Sequence, residues 1–192
     1  MITESAPLTL DGSFARSLML SKLWLCRQLK QLMQDQDISR FNKVYNLGSW
    51  YGNMALFMLV KHVPFRVMVD VDLDSSYLRT SQRLLPRLYH SGRLISLACD
   101  ANRLVYDLQP PSCVINCSTN NMRNAGWLAN IATGTLVALQ GRSHEPQNMF
   151  NTVRSLREFD QEYPLSETLF LGEIPLRDPD DSYMRWMKIG IK

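Results

Sequence analysis

The chain has 192 residues, of which 45% are hydrophobic and 20% charged, a composition that suits one globular domain with a sizeable core. The formal net charge of +3 is small and dispersed, so the basic Arg79–Arg83–Arg87 series reads as the solvated face of a helix rather than a nucleic-acid footprint. Apolar runs are broken by Lys or Arg before the ~18–20 residues needed to span a bilayer, which argues against a membrane protein.

The opening "MITESAPLTL" lacks the basic region and apolar run of a secretory signal, which argues against secretion. Phe14–Gln34 reads as an amphipathic helix, with Leu18, Leu25, Leu29 and Leu32 on one stripe and Arg16, Lys22, Arg27 and Lys30 interrupting the apolar run. The polar "DQDISRFN" separates it from a first strand at Lys43–Leu47. "GNMALFMLVKH" predicts a buried helix, and "PFRVMVDVD" a second strand opening after Pro64. Asp74 or Ser75 can cap the next helix, "SSYLRTSQRLLPRLYH", which Pro86 must kink or end.

"RLISLACD" predicts a third strand, and "CVINCS" a fourth after the Pro110–Pro111 turn. "NNMRNAGWLANIA" reads as a short helix that Gly134 can terminate, followed by a fifth strand, "TLVALQ". Thr152–Tyr163 reads as a helix, and "ETLFLGEI" and "YMRWMKIGI" as strands joined by the turn-forming "PLRDPDDS". Alternating strands and helices imply right-handed crossovers and a mostly parallel sheet, whereas the last two strands must pair antiparallel. The expected fold is α/β: a three-layer α/β/α sandwich with a mostly parallel seven-stranded sheet, an antiparallel C-terminal strand pair and an N-terminal helix. Residues 1–192 form a single domain, with 1–40 as a helical cover and 41–192 as its core.

Cys26, Cys99, Cys113 and Cys117 show no CxxC spacing, and no histidine stands at ligand spacing from them, so no metal site is expected. Cys113 and Cys117 are too far apart on one strand to bridge. Four reduced thiols point to the cytoplasm.

Ligands of open parallel sheets bind at the carboxyl ends of the strands, near the point where strand order reverses. These ends are polar throughout: Asn46-Leu47-Gly48-Ser49-Trp50-Tyr51-Gly52, Asp70-Val71-Asp72, Cys99-Asp100-Ala101, Asn116-Cys117-Ser118-Thr119 and Gln140-Gly141-Arg142-Ser143-His144. A polar rim on apolar strands is what a nucleoside-like ligand requires. Gly48 would let the backbone turn toward it, and Gly52 would let the following helix pack close. Asp70, 22 positions beyond Gly48 (70 − 48), stands where a carboxylate accepting from ribose hydroxyls belongs. Asp100 could accept from the exocyclic amine of an adenine. Each feature alone is compatible with a turn or a helix cap; their order over successive strand ends points to a cofactor.

The layout resembles class I S-adenosylmethionine-dependent methyltransferases over about Phe14–Lys192. "VYNLGSWYGN" is similar to their first motif, "VMVDVD" to the second, "ACDA" to the third and "VINCSTNN" to the fourth. The resemblance implies a Rossmann-like core that binds S-adenosylmethionine, with methionine near Gly48 and Asn116, ribose at Asp70, and adenine near Asp100 and Ala101. Asn46, Ser49, Trp50, Tyr51, Gly52, Val71, Cys117 and Ser118 fall in the same motifs and are expected around the cofactor. Two positions depart from the pattern: Asn46 replaces an acidic residue, and Trp50 replaces the middle glycine. Trp50 is either local packing or one wall of the pocket.

Methyl transfer from a sulfonium is an in-line displacement that the cofactor drives, so the lack of an obvious acid–base dyad does not argue against an enzyme. "NCSTNN" is not the N/D-P-P-Y/F pattern of amino-group methyltransferases, and no Lys-Asp-Lys-Glu set is present. Asn116, Thr119 and His144 are the catalytic candidates, with His144 either a general base or a loop residue. Trp127, Tyr183 and Trp186 are interleaved with apolar residues and read as core. The leading expectation is a methyltransferase acting on a small or compact acceptor. The alternatives are another S-adenosylmethionine-consuming reaction (a lyase or non-methyl transfer) and a non-catalytic binding module.

Overall fold

The computed structural model describes residues 16–143, 153–178 and 181–192. Among them, seven strands form one sheet: β1 (Phe41–Leu47), β2 (Phe65–Asp72), β3 (Leu94–Ala98), β4 (Ser112–Asn116), β5 (Leu136–Arg142), β6 (Glu167–Asp178) and β7 (Asp181–Ile191). Their spatial order is β3-β2-β1-β4-β5-β7-β6. The first five strands run parallel, and β7 lies antiparallel to both β5 and β6. The expected mostly parallel sheet with an antiparallel end is therefore present. Strand order reverses between β1 and β4, which opens a crevice at their carboxyl ends.

Side-chain alternation along the strands builds a separate core on each face. Met68, Cys113 and Ile115 face α1 (Arg16–Asp35), α2 (Asn53–Val60) and α4 (Pro86–His90), with α3 (Ser75–Leu84) packed on β2 and β3. Val69, Val71 and Val114 face the opposite layer, which carries α5 (Gly126–Ala129) and α6 (Leu156–Glu162). Trp127, Phe159, Tyr163 and Trp186 fill this second core, with neighbouring ring centroids 5.2–6.2 Å apart. Contacts of this kind contribute about 0.5–1.5 kcal/mol per pair beyond area burial. Lys188 ties down the end of α6: its buried Nζ donates to the Asp160 and Tyr163 carbonyls, both at 2.9 Å, and pairs with the Asp160 carboxylate at 2.6 Å.

Local chemistry sets the boundaries. Asp74 caps α3 by accepting from the Ser76 N–H at 2.7 Å, and Pro86 ends that helix and starts α4. The helix expected over 120–132 shrinks to a 3-10 turn at Thr119–Asn121 and the four residues of α5. Asparagine side chains compete for the backbone there: Asn116 Oδ1 accepts from Ser118 N, Asn124 Oδ1 from Gly126 N and Asn102 Oδ1 from Trp127 N. Most of "PLRDPDDS" lies in β6 and β7 rather than in a long turn. Pro175 is tolerated because β6 is an edge strand.

Two further features differ from a regular crossover fold. The link from β3 to β4 contains one 3-10 turn, Ala101–Arg103, and then continues without regular secondary structure. Leu104, Tyr106 and Leu108 pack against the second core while Val105 is 89% exposed, so an irregular segment replaces a helix as the cover. The buried stripe of α1 begins with Ser17 and Ser21 before Leu25, Cys26, Leu29 and Met33. Polar pairing therefore docks the first turns of this helix. Ser17 Oγ accepts from Tyr183 Oη, and Ser21 Oγ donates to Gln140 Oε1 and accepts from Arg185 Nε. The four cysteines are free thiols. No helix among the described residues is long and apolar enough to cross a membrane.

Candidate functional site

The loop after β1 is held in a conformation that glycine makes accessible. Gly48 has φ +59°, and a Cβ there would lie 2.8 Å from Ser118 Cβ. Ser118 Oγ donates to the Gly48 carbonyl at 3.1 Å, drawing the loop onto the end of β4. Gly52 has φ +67°, and a Cβ there would meet Ser81 Oγ at 1.9 Å and Asp70 Oδ2 at 2.5 Å. Between them Trp50 adopts φ +49°, a left-handed conformation that is rare for a bulky residue. Its N–H donates to Asp72 Oδ2 at 2.9 Å, which holds that conformation.

Two cavities open on this loop. The larger, about 530 Å³, lies over the ends of β1, β2 and β4 and is lined by Gly48, Trp50, Val71, Asp72, Asp100, Ala101 and Ser118 among others. The smaller, about 110 Å³, adjoins it and includes Ser49, Trp50, Cys117, Ser118, Lys22, Arg142 and Arg185. Gly48, Trp50, Ser118 and Asn121 line both and so partition them. Trp50 is a pocket wall, 38% exposed, with its ring 6.5 Å from that of Tyr77.

Several residues of the motifs stand away from both cavities. Asp70 is fully buried, and its carboxylate accepts from Asn46 Nδ2 at 2.8 Å and Ser81 Oγ at 2.9 Å. Burial raises its pKa to about 6 against the pull of those two bonds. Of the two β2 carboxylates, the one that lines the larger cavity is Asp72, which accepts from the backbone of Trp50 and Asp74. Asp70, expected at the ligand edge, is buried and lines neither cavity. Asp70 and Asn46 are paired neighbours in the sheet, level with Ser81 of the covering helix, whereas Asp72 lies two residues nearer the open edge. Gly52 is buried at the same level, and Tyr51 packs edge-on against Tyr77, 5.2 Å between ring centroids.

Asn116 and Thr119 lie beneath the cavities rather than in their linings. Asn116 is buried, accepts from Ser118 N and donates to Met122 Sδ, while Thr119 Oγ1 donates to the Gln140 carbonyl at 2.8 Å. Both shape the loop after β4 from behind. His144 lies outside the described residues. Asp100 faces the larger cavity while its Oδ1 accepts from the backbone and side-chain amides of Asn102, which fixes the turn under the cavity rim.

Beyond Asp72, the cavities recruit residues to which the sequence assigned no individual role at the site. Asn102 and Met122 join the larger one, and Lys22, Arg142 and Arg185 the smaller. Lys22 belongs to α1 and Arg185 to β7, far from every motif. Arg185 is 5% exposed and held by Ser21 Oγ, the Cys117 carbonyl and Gln140 Oε1. Burial, with the Arg185 guanidinium beside it, keeps the Lys22 ammonium below its ordinary pKa. The larger cavity thus carries Asp72 and Asp100 beside Arg123, whereas the charged side chains that line the smaller one, among the described residues, are all cations. Among the described residues, no group of three His, Cys, Asp or Glu side chains is placed to hold a metal ion.

The chain matches no protein-family model and no curated protein sequence. Its fold is nevertheless shared with solved structures. Magnesium protoporphyrin IX methyltransferase from Synechocystis PCC 6803 with bound S-adenosylmethionine superposes with a TM-score of 0.60 at 9% identity, covering 90% of this chain and 81% of that one. Coclaurine N-methyltransferase bound to N-methylheliamine and S-adenosylhomocysteine gives 0.62 at 10% identity, covering 88% and 72%. The cyclase SpnF gives 0.55 at 12% identity, covering 78% and 60%. With its 3-2-1-4-5-7-6 strand order and antiparallel end, this chain has the class I S-adenosylmethionine-dependent methyltransferase fold.

Proposed function

We propose that the protein binds S-adenosylmethionine in the larger cavity and transfers its methyl group to a compact acceptor seated in the smaller one. The observation that carries this reading is the pair of adjoining cavities partitioned by the Gly48–Trp50 loop and Ser118. The residues present fit the cofactor: Gly48 leaves a cradle that any Cβ would fill, and two carboxylates face a ligand rich in hydroxyl and amine donors. When bound, S-adenosylmethionine supplies an electrophilic methyl group on its sulfonium.

Asp72, in place of Asp70, accepts from the ribose hydroxyls. Asp100 accepts from the adenine amine, with Ala101 and Val71 beside the ring. The bare Gly48 backbone admits the methionine end, and Trp50 and Ser118 align the acceptor across the partition and exclude water. Asn116 and Thr119 act as positioning residues through the loop after β4. Calorimetry with S-adenosylmethionine, S-adenosylhomocysteine and NAD tests this: heat with both sulfur nucleosides and none with NAD is expected, and silence from both sinks the reading.

A second reading is another reaction of the same cofactor, a lyase or non-methyl transfer. It is favoured by Trp50 in the place of a loop glycine, and by a cyclase among the proteins that share the fold. Cofactor breakdown without acceptor, followed by mass analysis, separates it from methyl transfer.

A further inference from the structure

Among the described residues, the smaller cavity carries charge of one sign: Lys22 of α1, Arg142 at the end of β5 and Arg185 of β7 line it together with Ser49, and none of the described carboxylates does. We propose that these cations form an anion subsite for a carboxylate or phosphate group of the acceptor. The assignment to the acceptor rests on the larger cavity being the cofactor site.

Four observations carry the proposal. Arg185 is buried and aimed by its own bonds: Nε is committed to Ser21 Oγ at 3.0 Å and Nη2 to the Cys117 carbonyl at 2.7 Å. Its Nη1 has no partner among the described residues, and neither does the Lys22 ammonium. The Arg142 guanidinium is stacked over the Tyr183 ring at 3.9 Å, which orients its planar fork. Ser49, 4% exposed, has a buried hydroxyl with no hydrogen-bond partner.

Lys22 and Arg185 are drawn out of water with no counter-charge hydrogen-bonded to them among the described residues, and a ligand anion would offset that cost through charge-assisted hydrogen bonds. The adjoining cavity is mixed in charge, with Asp72 and Asp100 beside Arg123, and is less favourable for the same anion. The all-cation lining therefore favours an anionic group on one side of the partition, while Asp72 and Asp100 suit a donor-rich nucleoside on the other. Sequence separation hides this constellation, because Lys22 and Arg185 are brought together only by the docking of α1 on β7.

Titration calorimetry of the full chain with inorganic phosphate, alone and saturated with S-adenosylhomocysteine, tests the proposal. Phosphate is expected to bind both forms with equal affinity, and at least tenfold more weakly to Lys22→Met and to Arg142→Gln, provided their thermal melts match the wild type. Failure of phosphate to bind, or equal binding by well-folded variants, overturns the subsite. Loss of phosphate binding on saturation with S-adenosylhomocysteine also overturns it, because the cations then hold the carboxylate of the cofactor. Phosphate binding that responds to the variants in a protein indifferent to S-adenosylhomocysteine supports the anion subsite and overturns the cofactor reading instead.

Discussion

The backbone N–H of Trp50 donates to the carboxylate of Asp72 across 2.9 Å, and this bond joins the first strand-end loop to the second. The same carboxylate faces the larger cavity, so one group both holds the loop conformation and lines the proposed cofactor site. Replacing Asp72 by Ala should weaken S-adenosylhomocysteine binding by about 1–3 kcal/mol. Asp70→Ala should act mainly on stability. Calorimetry beside urea melts checks the contrast, and equal binding losses for the two variants would count against Asp72 as the ribose partner.

Trp50 pays for its position with a left-handed backbone at φ +49°. Trp50→Gly removes that strain and keeps stability within about 1 kcal/mol, whereas the β-branched Trp50→Val should lose roughly 1–3 kcal/mol. Urea denaturation of both variants decides it; a valine as well tolerated as the glycine would show that the conformation relaxes.

Gly52 is required twice, by its φ of +67° and by Ser81 Oγ standing 1.9 Å from where a Cβ would be. Gly52→Ala should cost on the order of 3 kcal/mol, combining left-handed strain with displacement of the Ser81–Asp70 contact. In a double-mutant cycle with Ser81→Gly the two losses should be less than additive. Strict additivity would mean that the clash is relieved elsewhere.

Asp70 makes stability depend on pH. With its pKa raised to about 6 by burial, the folded state binds this proton more tightly than the unfolded chain does. Between about pH 4 and pH 6 the native state therefore holds more protons, and stability falls as pH rises, by roughly 3 kcal/mol once the group is fully ionised. Asn46 and Ser81 donate to the carboxylate, while Asp72 opposes and Lys22 favours its charge. Asp70→Asn should flatten this slope and gain on the wild type at pH 7.5 relative to pH 4.5. Chemical denaturation at the two pH values measures it, and parallel slopes would refute the assignment.

Much of the fold was legible because its signals are local. Short apolar runs bounded by Gly, Pro and Asp mark the strands, Asp74 and Pro86 punctuate the helices, and the short final connection dictates an antiparallel pair. Gly48, Trp50, Asp100, Ala101 and Ser118 were visible for the same reason, since each stands within three residues of a strand end. Less legible were the segments where side chains compete with the backbone, such as the asparagines that break up the helix expected over 120–132.

By itself, the sequence determined the order of elements, the parallel sheet with its antiparallel end and the strand ends that carry the loop residues, because periodicity and turn chemistry act over a few neighbours. Only the tertiary structure decided which β2 carboxylate faces the larger cavity. Asp70 and Asp72 share a strand face, but the helix carrying Ser81 covers one and leaves the other at the rim, about 7 Å further along. It also decided the charge of the second cavity, since Lys22, Arg142 and Arg185 are gathered by helix docking and strand pairing that no local spacing records.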